Sequence, residues 1–385
     1  MDFKNWFCLN QRESFTIDAK INPSDARFYF GRETLEKRMR QQIARAFVDP
    51  QVPKMMVWGP YGCGKTQTLH YLAHWLEHQK PPSCKESPHV VHLEIEVQSK
   101  STAREWHLQN MEAIGMDTVQ GWLQQLFAKS PNFSQELAKL TGDPNIQKAF
   151  TELRGSGPQS FSAWRWLSGQ KLTGGELQAI KVTRNLGDVG VGDLVAGLQA
   201  CGNLARAVGV CLILFIDEME ELQNVREGDA AESWHQYVRK LADNANSSVG
   251  FVIGFKADTR DDAPRIFLRG DVTSRIGHNN YIELETLAAP VNVQNFVEEM
   301  LSHLVDKPVA EQRVQSKGLT STARTYPFTA TAFDLLCGYA CQDVIKSTPR
   351  NIIKTINECA IAAWDAQKDV VDDDIVNEIA PIIFG

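Results

Sequence analysis

Hydrophobic residues along the chain follow two patterns: short unbroken apolar runs, and longer stretches in which apolar positions recur every three or four residues. Unbroken runs occupy residues 55–58, 210–216 and 249–255, and a mixed run covers residues 89–98. Short runs that are apolar throughout are typical of strands buried on both faces of a parallel sheet. The pattern therefore predicts four such strands and an α/β fold.

Helical periodicity dominates residues 99–200, with Gly and Pro breaks at the sequences TGDPN and GSGPQS. A second helical region follows the last apolar run. Its helices are predicted to begin after Thr329 and at Pro349. The second start is compatible with proline, which is tolerated in the first helical turn. The chain is therefore expected to carry a large helical insertion and a C-terminal helical lid.

Composition narrows the class of protein. The 385 residues are 43% hydrophobic, with a formal net charge of −7, and none of the apolar runs approaches the length of about 20 residues that spans a bilayer. Eight cysteines lack C-x-x-C spacing, and the start MDFKNWFCLNQRESF lacks a signal-peptide pattern. We expect a soluble cytoplasmic protein with no disulfide framework and no direct membrane insertion. The negative net charge does not favour binding to nucleic acid, although binding through a local basic patch is left open.

The first apolar run leads directly into a glycine-rich motif. The stretch VWGPYGCGKTQTLHYL matches G-x-x-x-x-G-K-[ST] between a strand and an amphipathic helix. Glycines let the backbone wind around an anion, Lys65 would reach the β and γ phosphates, and the Thr66 hydroxyl would bind Mg²⁺. The residues predicted to contact the nucleotide are Gly59, Gly62, Cys63, Gly64, Lys65, Thr66 and Gln67.

A second motif stands at the end of the run 210–216, in the sequence VCLILFIDEMEEL. Asp217 is predicted to hold Mg²⁺, and Glu218 to act as the general base that polarises the attacking water. The alternative is an acidic helix cap, since Glu220 and Glu221 follow. The phosphate-loop motif upstream favours the catalytic interpretation, and the presence of Glu218 favours hydrolysis over binding alone.

The distance between the two motifs indicates an insertion. From Lys65 to Asp217 is a step of 152 residues, whereas a helix, a strand and another helix need only about 50 to 60. Four tryptophans lie in the added helical segment, and they are interpreted as core residues or, alternatively, as a partner surface. They are Trp106, Trp122, Trp164 and Trp166.

A family resemblance rests on segments around these motifs. FGRETLEKRMRQQI (residues 30–43) resembles the F-x-G-R-E box that opens AAA+ domains of the origin-recognition clade. SAWRWLSGQKLTGGELQAIKVTRNLGD (residues 162–188) is similar to a stretch in bacterial relatives, including the ATP-binding proteins of BREX-type phage-exclusion systems. The resemblance covers about residues 28–365. It implies an AAA+ P-loop fold, ATP as the nucleotide, and a homo-oligomer.

The resemblance also implies roles for residues further along the chain. Arg275 stands where such families carry an arginine finger directed at the neighbouring subunit's nucleotide, with Arg265 and Arg269 as rivals. Arg350, in STPRNI, resembles the second sensor of the γ-phosphate. Lys256 occupies the first-sensor position, where Asn, Ser or Thr is usual. The N-terminal residues before 28 are expected to contact the adenine or a neighbouring subunit.

Nucleic-acid binding is left open by the sequence. No winged-helix segment follows the lid in this sequence, so we expect no sequence-specific reading of duplex DNA by this chain alone. Contacts to the nucleic-acid backbone would come from one of two groups of basic residues. The same charges are explained equally well as the solvated faces of helices. These groups are Arg38, Arg40 and Arg45, or Lys171, Lys181 and Arg184. Cys337 and Cys341 are interpreted as core thiols, since no further ligand completes a metal set.

Two functions follow from these observations. The first is an AAA+ ATPase that hydrolyses ATP with Mg²⁺, controls oligomer assembly, and acts around nucleic acid in DNA metabolism, mobile-element or phage-defence processes. The second is a nucleotide-dependent switch that recruits a protein effector without binding DNA. The predicted divisions are an N-terminal segment (1–27), a core (28–98 and 201–288), a helical insertion with its return helix (99–200) and a lid (289–385).

Overall fold

The chain divides into two compact units. The structure, a computed structural model, describes residues 2–10, 12–48, 51–225, 227–243 and 248–385. The first unit comprises Met1–Arg38, Gly59–Tyr71 and Glu283–Gly385; the second comprises Met39–Trp58 and Leu72–Ile282. No helix among the described residues is long and apolar enough to cross a membrane. Each unit has its own hydrophobic cluster.

A five-stranded parallel sheet forms the centre of the fold, in the order β2-β3-β4-β1-β5. Its strands are β1 (Lys54–Gly59), β2 (Ser87–Glu94), β3 (Val210–Asp217), β4 (Val249–Lys256) and β5 (Tyr281–Glu283). Nearly every residue of β1, β3 and β4 is buried, as their unbroken apolar sequences predict. The parallel register pairs Glu94 with Asp217 and Ile216 with Ile253, so the carboxyl ends of β2, β3 and β4 lie at one edge.

Helices make up most of the remaining chain. In the first half they are α1 (Phe3–Trp6), α2 (Glu33–Ala46), α3 (Lys65–Gln79), α4 (Ala103–Ile114), α5 (Met116–Lys129), α6 (Phe133–Thr141), α7 (Pro144–Leu153), α8 (Pro158–Leu167), α9 (Gly174–Ala179) and α10 (Val191–Ala207). In the second half they are α11 (Asp229–Leu241), α12 (Arg265–Leu268), α13 (Gly270–Ile276), α14 (Pro290–Leu304), α15 (Lys307–Lys317), α16 (Ala330–Ala340), α17 (Pro349–Asp365) and α18 (Asp373–Phe384).

Strand β2 ends earlier than the sequence predicts, at Glu94 instead of residue 98. The side chain of Gln109, on α4, explains the difference. Its Oε1 accepts from the Glu96 N–H at 3.4 Å, and its Nε2 donates to the Glu96 carbonyl at 3.1 Å. A side-chain amide therefore satisfies the backbone groups that a neighbouring strand would otherwise pair.

The insertion helices are part of the second unit's core. All four tryptophans of the segment are buried, and the Trp106 ring stacks on Trp234 of α11 with centroids 5.1 Å apart. The core interpretation of these tryptophans is confirmed. The partner-surface alternative is wrong, because a partner cannot reach rings that the chain itself covers.

The C-terminal helices belong to the first unit and begin where the sequence predicts. Thr329 caps α16 by accepting from the Ala332 N–H, and Thr348 caps α17 by accepting from the Asn351 N–H. Proline occupies the first turn of α17, where its missing N–H costs nothing. Cys337 lies in the apolar core of this region.

Candidate nucleotide site

The phosphate-loop motif forms a tight glycine-rich turn between β1 and α3 in the first unit. Gly62 and Gly64 have φ angles of +82° and +87°, a region that residues with a Cβ rarely adopt. A Cβ placed on Gly64 would meet no atom within 4 Å, whereas one on Gly62 would lie 2.9 Å from Thr348 Oγ1. The loop therefore opens beside Gly64, and left-handed turns of this kind present successive backbone N–H groups to an anion.

Two side chains of the motif bond to backbone carbonyls of the same unit. Lys65 Nζ donates to the carbonyls of Gly59 at 3.0 Å and Pro60 at 2.9 Å, which keeps the ammonium on the loop. Gln67 Nε2 donates to the carbonyls of Asp25 at 2.7 Å and Phe28 at 2.8 Å. The Gln67 side chain thus holds the N-terminal segment against the start of α3, which leaves its backbone N–H as the group for phosphate contact.

Arg32, in the FGRE sequence, also contacts the loop. Its Nη1 donates to the carbonyl of Cys63 at 3.0 Å, and its Nη2 donates to the carbonyl of Glu285. Cys63 itself is 1% exposed. One planar guanidinium therefore fastens the phosphate loop to the chain that follows β5, a geometry suited to the forked donors of arginine.

The first turn of α17 lies against the same loop. The Arg350 N–H donates to the Gly62 carbonyl at 3.3 Å, and the Arg350 guanidinium lies over the Tyr61 ring, 4.7 Å from its centroid. The predicted second-sensor residue is thus placed at the phosphate loop, within a single compact unit.

Asp217 and Glu218 lie in the second unit, at the carboxyl end of β3. Asp217 is 7% exposed, and its Oδ1 accepts from the Glu218 N–H at 2.9 Å. Glu218 is exposed and adopts the left-handed conformation, with φ +62° and ψ +29°. A non-glycine residue in this region carries a local energetic cost and is frequently found at functional sites.

The end of β4 adjoins this position. Glu220 Oε2 accepts from the backbone N–H of Lys256 at 2.9 Å, while the Lys256 side chain is exposed. The residue at the predicted first-sensor position is therefore held by its backbone at the same sheet edge as Asp217.

The three candidate arginine fingers differ in their partners. Arg265 is 92% exposed and pairs with Glu227 at 3.0 Å, and Arg269 pairs with Glu232 at 3.2 Å. Arg275 pairs with no carboxylate in the described part of the chain, and its Nη1 donates to the Asp271 carbonyl on its own helix, α13. Arg265 and Arg269 are therefore both held in ion pairs, whereas the described part of the chain offers no carboxylate partner to the charge of Arg275.

The basic groups considered for nucleic acid also differ. In the insertion, Lys181 pairs with Glu152 at 2.7 Å, and Arg184 pairs with Asp193 at 3.0 Å and lies 3.8 Å from Asp143. On α2, Arg38 and Arg45 are exposed, while Arg40 lies over the Trp75 ring at 5.2 Å. The charges of Lys181 and Arg184 are thus balanced within the insertion, which favours the solvated-face interpretation for these two residues.

The sequence does not predict the contacts of two residues at the loop. Arg32 lies inside the FGRE box, whose family resemblance assigns no contact to its arginine. Tyr61 occupies a variable position of the motif, which carries no signal for a role. Both contacts join segments far apart in the chain, so spacing along the sequence does not reveal them.

No family profile and no curated protein matches the chain. Among solved structures, the Orc2 protein of Aeropyrum pernix (ADPNP-ADP complexes) is similar at 12% identity and TM-score 0.50, over 92% of this chain and 68% of that chain. The Aeropyrum pernix Orc1 protein in complex with DNA matches at 12% identity and TM-score 0.47, over 95% and 69%. The RuvB Holliday junction branch migration motor of Thermotoga maritima matches at 13% and 0.40, over 92% and 70%. The likeness to Orc2 and the five-stranded parallel sheet confirm the predicted P-loop α/β fold.

Proposed function

We propose that this protein is an AAA+ ATPase that binds and hydrolyses ATP with Mg²⁺ and uses the nucleotide to control its own assembly. The observation that carries the proposal is the set of contacts around the phosphate loop. Within one compact unit the loop turns through Gly62 and Gly64, holds Lys65 over its carbonyls, and bonds directly to the first turn of α17. The Orc2 neighbour, described as ADPNP-ADP complexes, supports nucleotide binding on this fold.

The chemistry of the predicted residues suits a nucleotide and its metal. The space beside Gly64, the loop N–H groups and the Lys65 ammonium suit phosphate oxygens. Thr66 and Asp217 would supply hydroxyl and carboxylate oxygens, the ligand types that Mg²⁺ prefers, and the ion would neutralise phosphate charge. Glu218, at the end of a buried strand, would accept the proton of the attacking water.

Two arginines complete the proposed site. Arg350 would contact the γ-phosphate and relate the angle of the lid to the nucleotide state. Arg275 would act in a neighbouring subunit's site, stabilising charge on the transferring phosphoryl group, so that hydrolysis requires assembly. The core is assigned to residues 28–98 and 201–288, the insertion to 99–200 and the lid to 289–385.

The biological setting is proposed from the sequence resemblance. The FGRE box and the stretch 162–188 favour an initiator-like protein, related to BREX-type phage-exclusion ATPases, that works around nucleic acid. Exposed Arg38 and Arg45 are the basic side chains that we assign to backbone contacts.

A second candidate is a nucleotide-dependent switch that recruits a protein effector and leaves DNA alone. The ion pairs of Lys181 and Arg184 favour it, because these charges are already compensated within the insertion. The net charge of −7 acts in the same direction.

The molar mass of the Glu218→Gln variant, measured by light scattering, tests the proposal and separates the two candidates. Each sample is compared with and without ATP and Mg²⁺, and with and without a long duplex DNA. ATP-driven assembly that grows further on DNA supports the first function; assembly indifferent to DNA supports the switch. If ATP neither binds nor changes the mass, the proposal is wrong.

A further inference from the structure

The phosphate loop carries an exposed aromatic side chain. Tyr61 lies between Pro60 and Gly62, and its side chain is 65% exposed. A large aromatic ring at a loop tip buries little apolar surface, so its contacts with other side chains indicate what it does there. The contact present is with Arg350, whose guanidinium carbon lies 4.7 Å from the ring centroid, within the range of a cation–π interaction.

This contact is reinforced by the backbone on either side of it. The next loop residue, Gly62, accepts the Arg350 N–H at 3.3 Å. A Cβ on Gly62 would approach Thr348 Oγ1 to 2.9 Å and the Arg350 Cβ to 3.2 Å. The loop and the start of α17 are therefore in direct van der Waals and hydrogen-bond contact, and the ring of Tyr61 extends this contact to the charged end of Arg350.

The Arg350 side chain has few other contacts that would fix its orientation. It is exposed, it lies in the first turn of its helix, and in the described part of the chain no carboxylate pairs with it. A free arginine side chain samples many rotamers, and fixing it costs conformational entropy. A guanidinium stacked by its face on a ring loses much of this freedom, while its N–H edges still point outward as donors.

We infer that Tyr61 is a positioning residue, which holds the Arg350 guanidinium at the phosphate loop with its N–H edge available to a terminal phosphate. The inference rests on the proposed function, because it assigns a role only if ATP binds at this loop. The contact joins the phosphate loop directly to the first turn of α17.

Titrations with ATP and with ADP in the presence of Mg²⁺, followed by calorimetry, test this inference on the full chain. Tyr61→Ala is expected to weaken ATP binding about two- to fivefold, the range of an exposed cation–π contact, and to change ADP binding less. Tyr61→Phe keeps the ring and should restore the affinity for ATP. Phe161→Ala removes another exposed ring, 58% exposed on α8, and serves as the matched control.

A double-mutant cycle distinguishes positioning from a general effect on the loop. If Tyr61 acts through Arg350, then adding Tyr61→Ala to Arg350→Ala costs no further affinity for ATP. Full additivity of the two losses would overturn the inference, as would an unchanged affinity in Tyr61→Ala while Arg350→Ala is impaired. The proposed function fails separately, and earlier, if the wild-type chain does not bind ATP.

Discussion

The carboxylate of Asp217 accepts a hydrogen bond from the backbone N–H of Glu218, its immediate neighbour, at 2.9 Å. Glu218 adopts the left-handed conformation where this bond forms. As a result the Asp217 side chain is buried and the Glu218 side chain is exposed. Adjacent carboxylates with different surroundings are suited to different tasks, metal binding for the buried one and proton transfer for the exposed one.

Glu218→Gln should abolish hydrolysis while leaving ATP binding intact. The amide keeps the size of the side chain but cannot accept a proton, so the hydrolysis rate should fall by at least about 100-fold. Phosphate release and nucleotide affinity measure the two effects. Glu227→Gln alters a surface carboxylate that is 88% exposed and should hydrolyse ATP at the wild-type rate. A wild-type rate in Glu218→Gln would remove this residue from the mechanism.

Glu218→Gly should raise stability while it destroys activity. Glycine adopts φ +62° without the clash that a Cβ creates. The relief of this strain should exceed the additional entropy cost of ordering glycine by about 0.5–1 kcal/mol. Urea unfolding of the variant measures the change. Glu221→Gly, in the adjoining 3₁₀ turn Met219–Asn224, should instead lower stability. A lower midpoint for both variants would contradict the strain assigned to Glu218.

Arg32→Ala should weaken ATP binding roughly tenfold, since the Cys63 carbonyl loses a charged hydrogen bond that fixes the loop. Arg32→Lys should not restore it, because one ammonium cannot reproduce the fork that reaches both Cys63 and Glu285. Calorimetric titration with ATP gives the affinities. Arg38→Ala, at an exposed position on the helix α2 that follows Arg32, is the control, and an equal loss in that variant would argue against a specific clamp.

Mixing two inactive variants tests Arg275. Arg275→Ala should assemble with ATP yet hydrolyse it slowly, and Lys65→Ala should not bind ATP. In mixed assemblies, Lys65→Ala subunits would supply Arg275 to the intact loops of the other variant, and ATPase activity should recover in part. Arg265→Ala should behave like wild type, because Arg265 pairs with Glu227 at the surface. If mixing restores nothing although assembly is normal, Arg275 does not act between subunits.

A buried histidine in the second unit should make stability depend on pH. His107 is fully buried, and burial lowers its pKa to about 4. Its Nε2 lies 2.8 Å from the Leu167 carbonyl, which only accepts, so Nε2 carries the proton and Nδ1 accepts from Tyr237 at 3.2 Å. The unfolded chain binds a proton near pH 6.5, so the free energy of unfolding should fall as the pH drops from 6.5 to 4.

The size of this effect is about 3 kcal/mol, from the difference between the two pKa values. Urea unfolding of wild type and His107→Gln across this pH range measures it, since the difference between them should shrink by that amount on acidification. His278→Gln, at an exposed position, should show no such change. A pH-independent difference for His107→Gln would contradict a neutral buried ring.

Elements set by local sequence were predicted well. The strands β3 and β4 and the start of α17 follow from continuous apolar runs and from a proline in a first turn, signals contained in a few adjacent residues. The end of β2 was wrong because Gln109, 13 residues away from Glu96, supplies the competing hydrogen bonds. The contacts of Arg32 and Tyr61 joined segments more than 30 and more than 280 residues apart, beyond the reach of periodicity.

The candidate site shows the same division. Motif spacing predicts Lys65, Asp217 and Glu218 as site residues, because each stands in a fixed relation to a strand end. Spacing did not show that the Gln67 side chain is engaged with the N-terminal segment, nor that Arg265 and Arg269 are paired with carboxylates. Those facts depend on which partners the tertiary fold brings within bonding distance.

The insertion shares one apolar cluster with the sheet, extending from Met56 through Trp106 and Leu198 to Ile276. The helices between β2 and β3 therefore cannot be cut out as a detachable module, because their removal would leave the sheet face beneath them wet. Calorimetry of the full chain should show the inserted helices and the sheet unfolding in one transition, with tryptophan fluorescence changing at the same temperature.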